Sequence, residues 1–389
     1  MNKMLSIPPL YPITDPRIDL SLSRQVSRFA DAGFPLVQFR GKGVAAKEHW
    51  QELRTSLSLA EENGGWPQII VNDRADFAIL ATREGLEPWG LHLGQRDIPV
   101  ADAIRMPGLM QFHFGASTHN PKEWSLVDSS CDHAGVGPFR ATTTKPDHEA
   151  TIGTKGLEAG CLALRQQNIA PIAIGGLAIE DALTCFLAGA ESLAMAHELS
   201  PQATGNDDTR LADYLWQAQK IKFSIQPIIN RKAGVAIVGG SGAGKTALSN
   251  SLAPRLGFKA KDLDAIVSEK AGKTIAEIFN DSETMFRKLE SECLPECLEY
   301  PSVVALGAGA WHQETIRDRL QKSGWTILWL AEVPSTAWER ARKDVNRPLA
   351  KDRATFMQRW RSRMKKWSVL PSLLPLGRSP DELAELLAP

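Results

Sequence analysis

Short runs of apolar and β-branched residues alternate with longer stretches of helical periodicity through the first half of the chain. Helical spacing of apolar positions is clear at 45–62 and 178–188, and a further helix is predicted near 207–221. The short runs predict eight strands, at 10–14, 36–40, 68–72, 90–94, 112–116, 133–137, 171–175 and 191–196. Because parallel strands need helical crossovers, this count predicts a (β/α)8 TIM barrel, and a doubly wound open sheet is the alternative.

The second half of the chain begins a new apolar pattern. The run 235–238 predicts a strand, and further strands are predicted at 303–307 and 326–331, each flanked by helices. This alternation is typical of a three-layer α/β domain with a parallel sheet. Ser379 followed by Pro380 predicts the N-terminal cap and first turn of a last helix.

A linker is predicted at 223–233, where Pro227 disfavours the continuation of a helix. A chain of 389 residues also exceeds what one hydrophobic core usually serves. We therefore expect two domains, 1–222 and 234–389, on either side of this linker.

The charge of the chain is balanced, with 45 Lys and Arg residues against 45 Asp and Glu residues. This balance gives no reason to expect nucleic acid or an anionic membrane as a partner, so any binding of phosphorylated small-molecule substrates must come from local arrangements of charge. The N-terminal stretch lacks the apolar core of a signal peptide, and no run of about 20 apolar residues could span a bilayer. We expect a cytoplasmic protein.

The five cysteines form no paired CxxC motif. Cys293 and Cys297 are four residues apart on a predicted helix and could share a metal site, but no His or further Cys lies near them in the sequence. Packing of thiols in a reducing cytosol is the favoured interpretation.

Polar residues follow the predicted barrel strands, at the ends that meet on the C-terminal face of a parallel barrel, where barrel active sites lie. Asp73 and Asp97 suit a hard cation such as Mg²⁺. The charges of Arg40, Lys42 and Lys145 could neutralise a diphosphate. Threonines at 142–144 and the Gly175-Gly176 turn could bind a second phosphate. The set predicts a site that stabilises a departing diphosphate beside another phosphorylated substrate.

Six strings in family order resemble the successive motifs of thiamine-phosphate synthase: LVQFRGK, VNDRADFA, GLHLGQRD, GASTH, GVGPFRATTTK and AIGGL. The resemblance implies that hydroxymethylpyrimidine diphosphate and thiazole phosphate condense to thiamine phosphate. It assigns Asp73 and Asp97 to Mg²⁺. It assigns the pyrimidine diphosphate to Gln38, Arg40, Lys42, Asn72, Ser117 and Lys145, with Lys145 also catalytic. It assigns the thiazole phosphate to Thr142, Thr144, Gly176, Ala196 and His197.

The barrel departs from the family pattern at several positions. Gly41 replaces a usual Glu, and Arg140-Ala141 replaces an aromatic residue and Pro. Ala196-His197 stands where the family has an aliphatic residue and Ser. Thiazole tautomerase relatives are the alternative, because they share the barrel and a motif like Thr118-His119, but they lack a complete diphosphate clamp. For His119 a catalytic and a structural hydrogen-bonding role are both open.

A complete phosphate-binding loop follows the strand predicted at 235–238, as the motif G-x-x-x-x-G-K-[ST] requires. Backbone N–H groups of such a loop hold the phosphates of ATP. Lys245 would reach the β- and γ-phosphates as a catalytic residue, and Thr246 would coordinate Mg²⁺. The predicted ATP-binding residues of the loop are Gly239, Gly242, Ala243, Gly244, Lys245 and Thr246.

Charged residues later in this domain indicate an anionic acceptor. Asp262 and Asp264 are placed at the end of the next predicted strand, and a second glycine turn lies at 307–309. Several arginines follow, and the simplest interpretation is that two of them hold one carboxylate of the acceptor. These arginines are Arg287, Arg347 and Arg363.

Over residues 233–389 these motifs are similar to those of shikimate kinase. The resemblance implies transfer of the ATP γ-phosphate to the shikimate 3-hydroxyl. It assigns Asp262 to Mg²⁺ and makes Asp264 the residue that orients the acceptor hydroxyls and takes the proton. It implies that Arg347 stabilises the transferring charge and that Arg340 stacks on adenine. The acceptor-binding residues it implies are Asp264, Arg287, Gly309 and Arg363.

Two departures and two alternatives concern the acceptor. Ala308 interrupts the family's Gly-Gly-Gly turn and would be strained if that position needs a positive φ, and Trp367 replaces an aromatic hydroxyl residue. Since shikimate is not a thiamine precursor, a thiamine-pathway alcohol such as hydroxyethylthiazole is one alternative, which Arg287 and Arg363 disfavour. A nucleotide-binding regulatory module is the other, which Asp264 and Arg347 disfavour.

Overall fold

The computed structural model describes residues 5–141, 150–205, 207–230, 232–299, 301–344 and 350–389. The chain divides into two compact units, Met1–Ile225 and Gln226–Pro389. The division falls inside the stretch predicted as a linker. No helix in the described ranges is long and apolar enough to cross a membrane.

The first unit is an eight-stranded parallel barrel. Its strands are β1 Leu10–Pro12, β2 Leu36–Phe39, β3 Gln68–Asn72, β4 Gly90–Leu93, β5 His113–Thr118, β6 His133–Val136, β7 Ala170–Ile174 and β8 Ser192–Met195. The strand order is β1-β8-β7-β6-β5-β4-β3-β2. A parallel bridge between Ile13 and Gln38 joins the two ends of this order, and the Thr14 N–H donates to the Gln38 carbonyl at 3.0 Å. The predicted (β/α)8 barrel is confirmed, and the open sheet is excluded.

Helices follow most of these strands. They are α1 Leu22–Asp31, α2 Ala46–Glu62, α3 Ala75–Arg83, α4 Val100–Ala103, α5 Pro121–Ser125, α6 Gly153–Gln166, α7 Ala182–Leu187, α8 Pro201–Thr204 and α9 Thr209–Ile225. The helix predicted at 178–188 is a 3-10 turn, Ile179–Asp181, followed by α7. Helix α9 continues beyond its predicted end because Phe223 is buried. The first three residues of the predicted linker are therefore helical.

Apolar side chains fill the barrel interior and fix the register of the strands. Tyr11, Leu36, Ile70 and Ile172 belong to one buried cluster contributed by strands around the barrel. Such layers pack the interior of parallel barrels. Because all eight strands run parallel, the carboxyl ends of β1–β8 lie on one face, which we call the barrel mouth.

The second unit is built on a five-stranded parallel sheet with the order β10-β11-β9-β12-β13. The strands are β9 Val235–Val238, β10 Lys259–Asp262, β11 Ser302–Ala305, β12 Thr326–Leu330 and β13 Ser372–Leu373. The helices are α10 Lys245–Leu256, α11 Leu263–Ala271, α12 Ile275–Asp281, α13 Glu283–Leu298, α14 Glu314–Lys322, α15 Pro334–Ala341, α16 Arg353–Trp367 and α17 Pro380–Leu387. The predicted parallel α/β domain is confirmed.

Local sequence signals explain several details of this unit. Ser379 caps α17 by accepting a hydrogen bond from the Glu382 N–H, and Glu382 bonds back to the Ser379 N–H. Cys293 and Cys297 lie on α13 and are both buried. Burial raises the pKa of the Cys297 thiol to about 12, as expected for a packing residue.

Candidate active sites

At the barrel mouth, Gln38 and Arg40 are held by strand β1 and the residues that follow it. Gln38 is buried, and its Nε2 donates to Tyr11 Oη at 3.2 Å. The Arg40 N–H donates to Thr14 Oγ1 at 2.7 Å, and Thr14 Oγ1 donates to the Arg40 carbonyl at 3.0 Å. This pair of bonds fixes the backbone from which the Arg40 side chain leaves the barrel.

Asp73 and Asp97 come together at the same mouth, as predicted for a cation site. Asp73 follows β3 with a φ of 62°, a left-handed conformation that Asp adopts more readily than most residues. Its N–H donates to the His92 carbonyl at 2.9 Å. Asp97 Oδ2 accepts the Gly94 N–H at 2.7 Å, and the two carboxyl groups are in hydrogen-bonding contact.

Basic residues surround this carboxylate pair. Burial and then the neighbouring Asp97 raise the pKa of Asp73 to about 6, while Arg40 and Lys42 act in the opposite direction. Burial lowers the pKa of Arg40, against the attraction of Asp15 and Asp73. Two carboxyl groups that repel each other are the arrangement that a divalent cation would relieve. The described residues hold no group of three or more His, Cys, Asp or Glu side chains that could bind a metal, so any cation here would rely on this pair and its substrate.

Asn72 and Ser117 lie beside this group on β3 and β5. Asn72 is buried and stands opposite His92 in the strand register. His92 Nε2 lies 3.0 Å from Ser117 Oγ, and Gln95 Nε2 donates to the Ser117 carbonyl at 2.6 Å. His92 is not among the residues predicted from the sequence, although a polar residue between two leucines in a predicted strand is a signal for an inward-facing group.

The turn after β7 is shaped for a close approach to the backbone. Gly175 and Gly176 have φ values of 100° and 61°, and a Cβ at Gly176 would lie 2.8 Å from the Ala141 carbonyl oxygen. The Arg140 N–H donates to the Gly175 carbonyl at 3.0 Å. The guanidinium of Arg140 donates to both carboxyl oxygens of Asp181, each at 2.6 Å. This departure from the family pattern thus ties two mouth segments together.

The remaining predicted residues of the thiazole-phosphate site are only partly described. Ala196 is half-buried, and the exposed His197 begins a 3-10 turn after β8. Burial and then Glu180 raise the pKa of the neighbouring Glu198, while His197 lowers it. Thr142, Thr144 and Lys145 lie outside the described residues.

His119 has a structural partner. Its Nδ1 lies 2.9 Å from Glu123 Oε2, and its N–H donates to the same oxygen at 2.8 Å. Glu123 is in the first turn of α5, where Asn120 caps the helix. Of the two open interpretations of His119, these bonds favour the structural one.

In the second unit, the predicted phosphate-binding loop joins β9 to α10. Gly239, Gly242 and Gly244 have φ values of 147°, 81° and 97°, which residues with a Cβ rarely adopt. Lys245 Nζ donates to the Gly240 carbonyl at 2.8 Å. Ala243 is buried under the loop. The loop therefore has the conformation that the motif requires.

The predicted Mg²⁺ ligands of this unit are in contact. Thr246 Oγ1 donates to Asp262 Oδ2 at 2.6 Å. Asp262 Oδ1 accepts the N–H groups of Asp264 and Ala265, at 2.9 and 3.3 Å. Asp262 thereby caps α11, and Asp264 lies in its first turn. The prediction that Asp264 ends the strand was wrong, because this cap starts a helix at Leu263.

One cavity of about 460 Å³ unites most of the predicted kinase residues. We call it the acceptor cavity. Its predicted members are Lys245, Thr246, Asp262, Asp264, Arg287, Gly309 and Arg363. Arg340 is not among the residues that line it; its Nη1 donates to Glu332 Oε2 at 2.6 Å. Arg347 lies outside the described residues.

Glycines make room for the charged groups of the acceptor cavity. A Cβ at Gly307 would lie 2.5 Å from Glu290 Oε1 and 2.6 Å from Asp264 Oδ1. A Cβ at Gly309 would lie 2.5 Å from both Nη atoms of Arg287. The two glycines are needed for close approach rather than for an unusual φ.

The cavity wall carries crowded positive charge. Arg287 Nη1 lies 2.7 Å from Glu290 Oε2 and its Nη2 lies 3.0 Å from Glu283 Oε1. Burial and then the like charges of Arg287 and Arg359 lower the pKa of Arg363 to about 10. Burial raises the pKa of Glu290 to about 7 against the attraction of Arg287. Glu290 is not among the residues predicted from the sequence, because its role depends on its complete burial.

The two departures near the acceptor are accommodated by the fold. The described non-glycine residues with positive φ are Asp73, Asn168 and Leu376, so Ala308 carries no such strain. Trp367 is fully buried and packs edge-on against Trp360 and His312, with ring centroids 5.7 and 5.8 Å apart.

Comparisons with known proteins divide the chain in the same way. The family profile described as thiamine monophosphate synthase matches residues 10–199, and the shikimate kinase profile matches residues 241–368. The thiamine-phosphate synthase of Chloroflexus aurantiacus is 36% identical over 190 residues, covering 48% of this chain and 82% of the relative. The shikimate kinase of Thermobifida fusca is 38% identical over 158 residues, covering 39% of this chain and 91% of the relative.

A third relative spans more of the chain than the first unit occupies. The thiamine biosynthesis multifunctional protein ThiED of Corynebacterium efficiens is 28% identical over 270 residues, covering 67% of this chain. The match covers 35% of that relative's own length.

Proposed function

The chain belongs to the thiamine-phosphate synthase family in its first unit and to the shikimate kinase family in its second, and we propose that it is a bifunctional transferase that catalyses a synthase reaction and a kinase reaction. In the barrel, diphosphate would leave the methylene carbon of hydroxymethylpyrimidine diphosphate, and the thiazole nitrogen would attack the resulting pyrimidine cation. A C–N bond forms, and the C–O bond breaks with its electron pair leaving on diphosphate. The products are thiamine phosphate and diphosphate.

The contact between Asp73 and Asp97 beside Arg40 and Lys42 is the observation that supports this reaction most. Mg²⁺ held by the two aspartates would supply charge that offsets the charge of the departing diphosphate. Arg40 and Lys42 bind the same group by charge. The remaining roles follow motif positions: Gln38, Asn72, Ser117 and Lys145 for the pyrimidine diphosphate, and Thr142, Thr144, Gly176, Ala196 and His197 for the thiazole phosphate.

Production of thiamine phosphate from the two substrates with Mg²⁺ tests the barrel reaction. We expect equal rates of product formation with the native protein and with Lys245→Ala, which affects only the kinase, and a rate lower by about 100-fold or more with Asp97→Asn. A folded native protein that forms no product would refute the proposal. Isomerisation of a thiazole without release of diphosphate would favour the tautomerase alternative.

For the second unit we propose ATP-dependent phosphorylation of a small hydroxy acid, with shikimate as the acceptor. The acceptor cavity supports this, because it joins the phosphate-binding loop to Asp264 and to two arginines. Asp264 would take the proton of the acceptor hydroxyl, and Lys245 would stabilise the transferring phosphoryl group. Arg287 and Arg363 would bind the carboxylate. Thr246 and Asp262 would hold Mg²⁺, which would neutralise charge on the ATP phosphates.

Two further kinase residues keep roles that rest on their motif positions. Arg347 would stabilise charge on the phosphoryl group during transfer. Arg340 would contact adenine, which requires its guanidinium to leave Glu332 when ATP binds.

A second candidate acceptor is a thiamine-pathway alcohol such as hydroxyethylthiazole. The similarity to a multifunctional thiamine biosynthesis protein over 67% of the chain favours it. The paired arginines oppose it, because a neutral alcohol offers them no anion.

ADP formation with shikimate, with hydroxyethylthiazole and with buffer alone decides between the acceptors. We expect turnover with shikimate in the native protein and in Asp97→Asn, which affects only the barrel, but not in Lys245→Ala. Turnover with the thiazole alone would overturn the proposal. Binding of ATP without turnover would favour a regulatory module.

A further inference from the structure

Two histidines meet inside the barrel behind the predicted diphosphate site. His133, at the start of β6, is fully buried, and its Nε2 lies 3.4 Å from Nδ1 of His92 on β4. His92 Nε2 in turn lies 3.0 Å from Ser117 Oγ. The three side chains form a continuous hydrogen-bonded row from the interior to the barrel mouth.

Strand β5, between β4 and β6, leaves room for this contact. A Cβ at Gly115 would lie 2.1 Å from His133 Nε2 and 2.5 Å from His92 Nδ1. Any larger residue at this position would separate the two imidazoles. On its other side, the His133 ring packs edge-on against Tyr11, with ring centroids 5.9 Å apart. The histidine pair is therefore held in place by both neighbours.

Hydrogen-bond roles along the row can be assigned from its two ends. A diphosphate offers only acceptors, so Ser117 must donate its proton outward if it binds that group. Ser117 Oγ then accepts from His92, which requires a proton on His92 Nε2. His92 Nδ1 is then an acceptor.

His133 Nε2, 3.4 Å from His92 Nδ1, is in position to donate to it. Within the described residues, His133 Nδ1 has no hydrogen-bond partner, as expected if it carries the lone pair, because leaving a buried N–H unpaired costs more. Complete burial also keeps this imidazole neutral, which leaves one proton on the ring.

We propose that His133 is a positioning residue for the synthase site: it donates to His92, fixes the Nε2–H tautomer of that imidazole, and so directs the Ser117 hydroxyl toward the substrate diphosphate. The proposal rests on the proposed synthase function, since it assigns His133 a part in binding that substrate. His133 itself touches no substrate.

Three variants at the inner end of the row test this assignment. His133→Leu removes the donor, His133→Gln keeps an N–H near the position of Nε2, and His113→Gln changes a histidine at the opposite end of β5, paired with Asp132. We expect His133→Leu to raise KM for the pyrimidine diphosphate about tenfold, the size of one hydrogen bond to a charged group. KM for the thiazole phosphate should not change. His133→Gln should restore most of the loss, and His113→Gln should behave as the native protein.

A double-mutant cycle with Ser117→Ala separates positioning from general damage to the core. If His133 acts through Ser117, His133→Leu should add no further change in the Ser117→Ala background. Additive effects, equal effects on both substrates, or no rescue by His133→Gln would overturn the proposal.

Imidazole ¹⁵N spectra of the free protein provide a readout that does not need activity. We expect His92 to show a protonated Nε2 in the native protein and to lose that preference in His133→Leu. A protonated Nδ1 in the native protein would refute the assignment. A native protein that makes no thiamine phosphate would refute the proposed synthase function. The protonated nitrogen of His92 would still show, independently of activity, whether His133 fixes its tautomer.

Discussion

Replacing Gly309 with alanine tests whether Arg287 binds the carboxylate of the acceptor. The new Cβ would lie 2.5 Å from Nη1 and Nη2 of Arg287, where van der Waals contact needs about 3.5 Å. Gly309 has a φ of −100°, so alanine adopts this backbone without strain. The substitution therefore acts by displacing the guanidinium by about 1 Å.

The expected loss of acceptor binding in Gly309→Ala follows from the contacts of Arg287. Its two nitrogens are fixed at 2.7 and 3.0 Å from Glu290 and Glu283, so the displaced group cannot keep both ion pairs and a bidentate grip on a ligand. Hydrogen bonds to charged groups contribute about 1.5–3 kcal/mol, which corresponds to a rise of about 10- to 150-fold in the KM of the acceptor. The clash involves the end of a flexible side chain, so the free energy of unfolding should fall by less than about 1 kcal/mol.

Initial rates of ADP formation with varied shikimate at saturating ATP measure this effect. The KM for ATP should stay within about twofold of the native value, because the phosphate-binding loop does not change. Lys322→Ala, on the exposed side of α14 and outside the cavity lining, is a control that should change neither constant. An unchanged acceptor KM in a folded Gly309→Ala protein, or an equal rise in both KM values, would refute the role of Arg287.

Three further substitutions have defined outcomes. Asp97→Asn should lower kcat/KM of the synthase by about 100-fold or more and raise the Mg²⁺ concentration it needs, with the kinase rate as internal control. The acceptor KM should fall as pH is lowered from 8 to 6, because Glu290, with a pKa of about 7, then loses the negative charge that competes for Arg287. Glu290→Gln should remove this pH dependence. A native acceptor KM that does not change with pH would contradict the prediction. Gly240→Ala would place a Cβ 2.0 Å from the Trp360 ring, so we expect a higher KM for ATP in the assay of ADP formation. An unchanged KM for ATP would show that the phosphate-binding loop tolerates alanine at this position.

The fold could be predicted because its strands are short apolar runs between helices. Predicted and observed strands agree within about two residues at each end, as the run 68–72 and β3 illustrate. One strand of the second unit, β13, was not predicted, and the reason is local. Strand β13 has only two residues, Ser372 and Leu373, which is too short for a pattern, and its pairing with β12 is the only sign of it in the described sheet.

The charged groups at strand ends could also be predicted, because topology alone brings them to one face. The sequence pattern of His92 indicates only an inward-facing group, and the roles of His92, His133 and Glu290 could not be predicted, since they depend on partners distant in sequence. His92 and His133 are 41 residues apart and meet only because Gly115 lies between them. Glu290 resembles an ordinary helix-surface residue in the sequence, and only the packing of α13 buries it completely.

The Trp367 substitution bears on the choice of acceptor. Arg363, one helical turn before it, and Trp367 both line the acceptor cavity, and Trp367 packs edge-on against Trp360 and His312 and offers the ligand no hydroxyl. Recognition would then fall more heavily on the arginines, where burial and then repulsion by Arg287 and Arg359 lower the pKa of Arg363 to about 10. An anionic ligand relieves that repulsion, and a neutral alcohol leaves it in place. Because Trp367 adds no hydroxyl to the cavity lining, we expect the acceptor of this domain to carry a negative charge that pairs with the arginines.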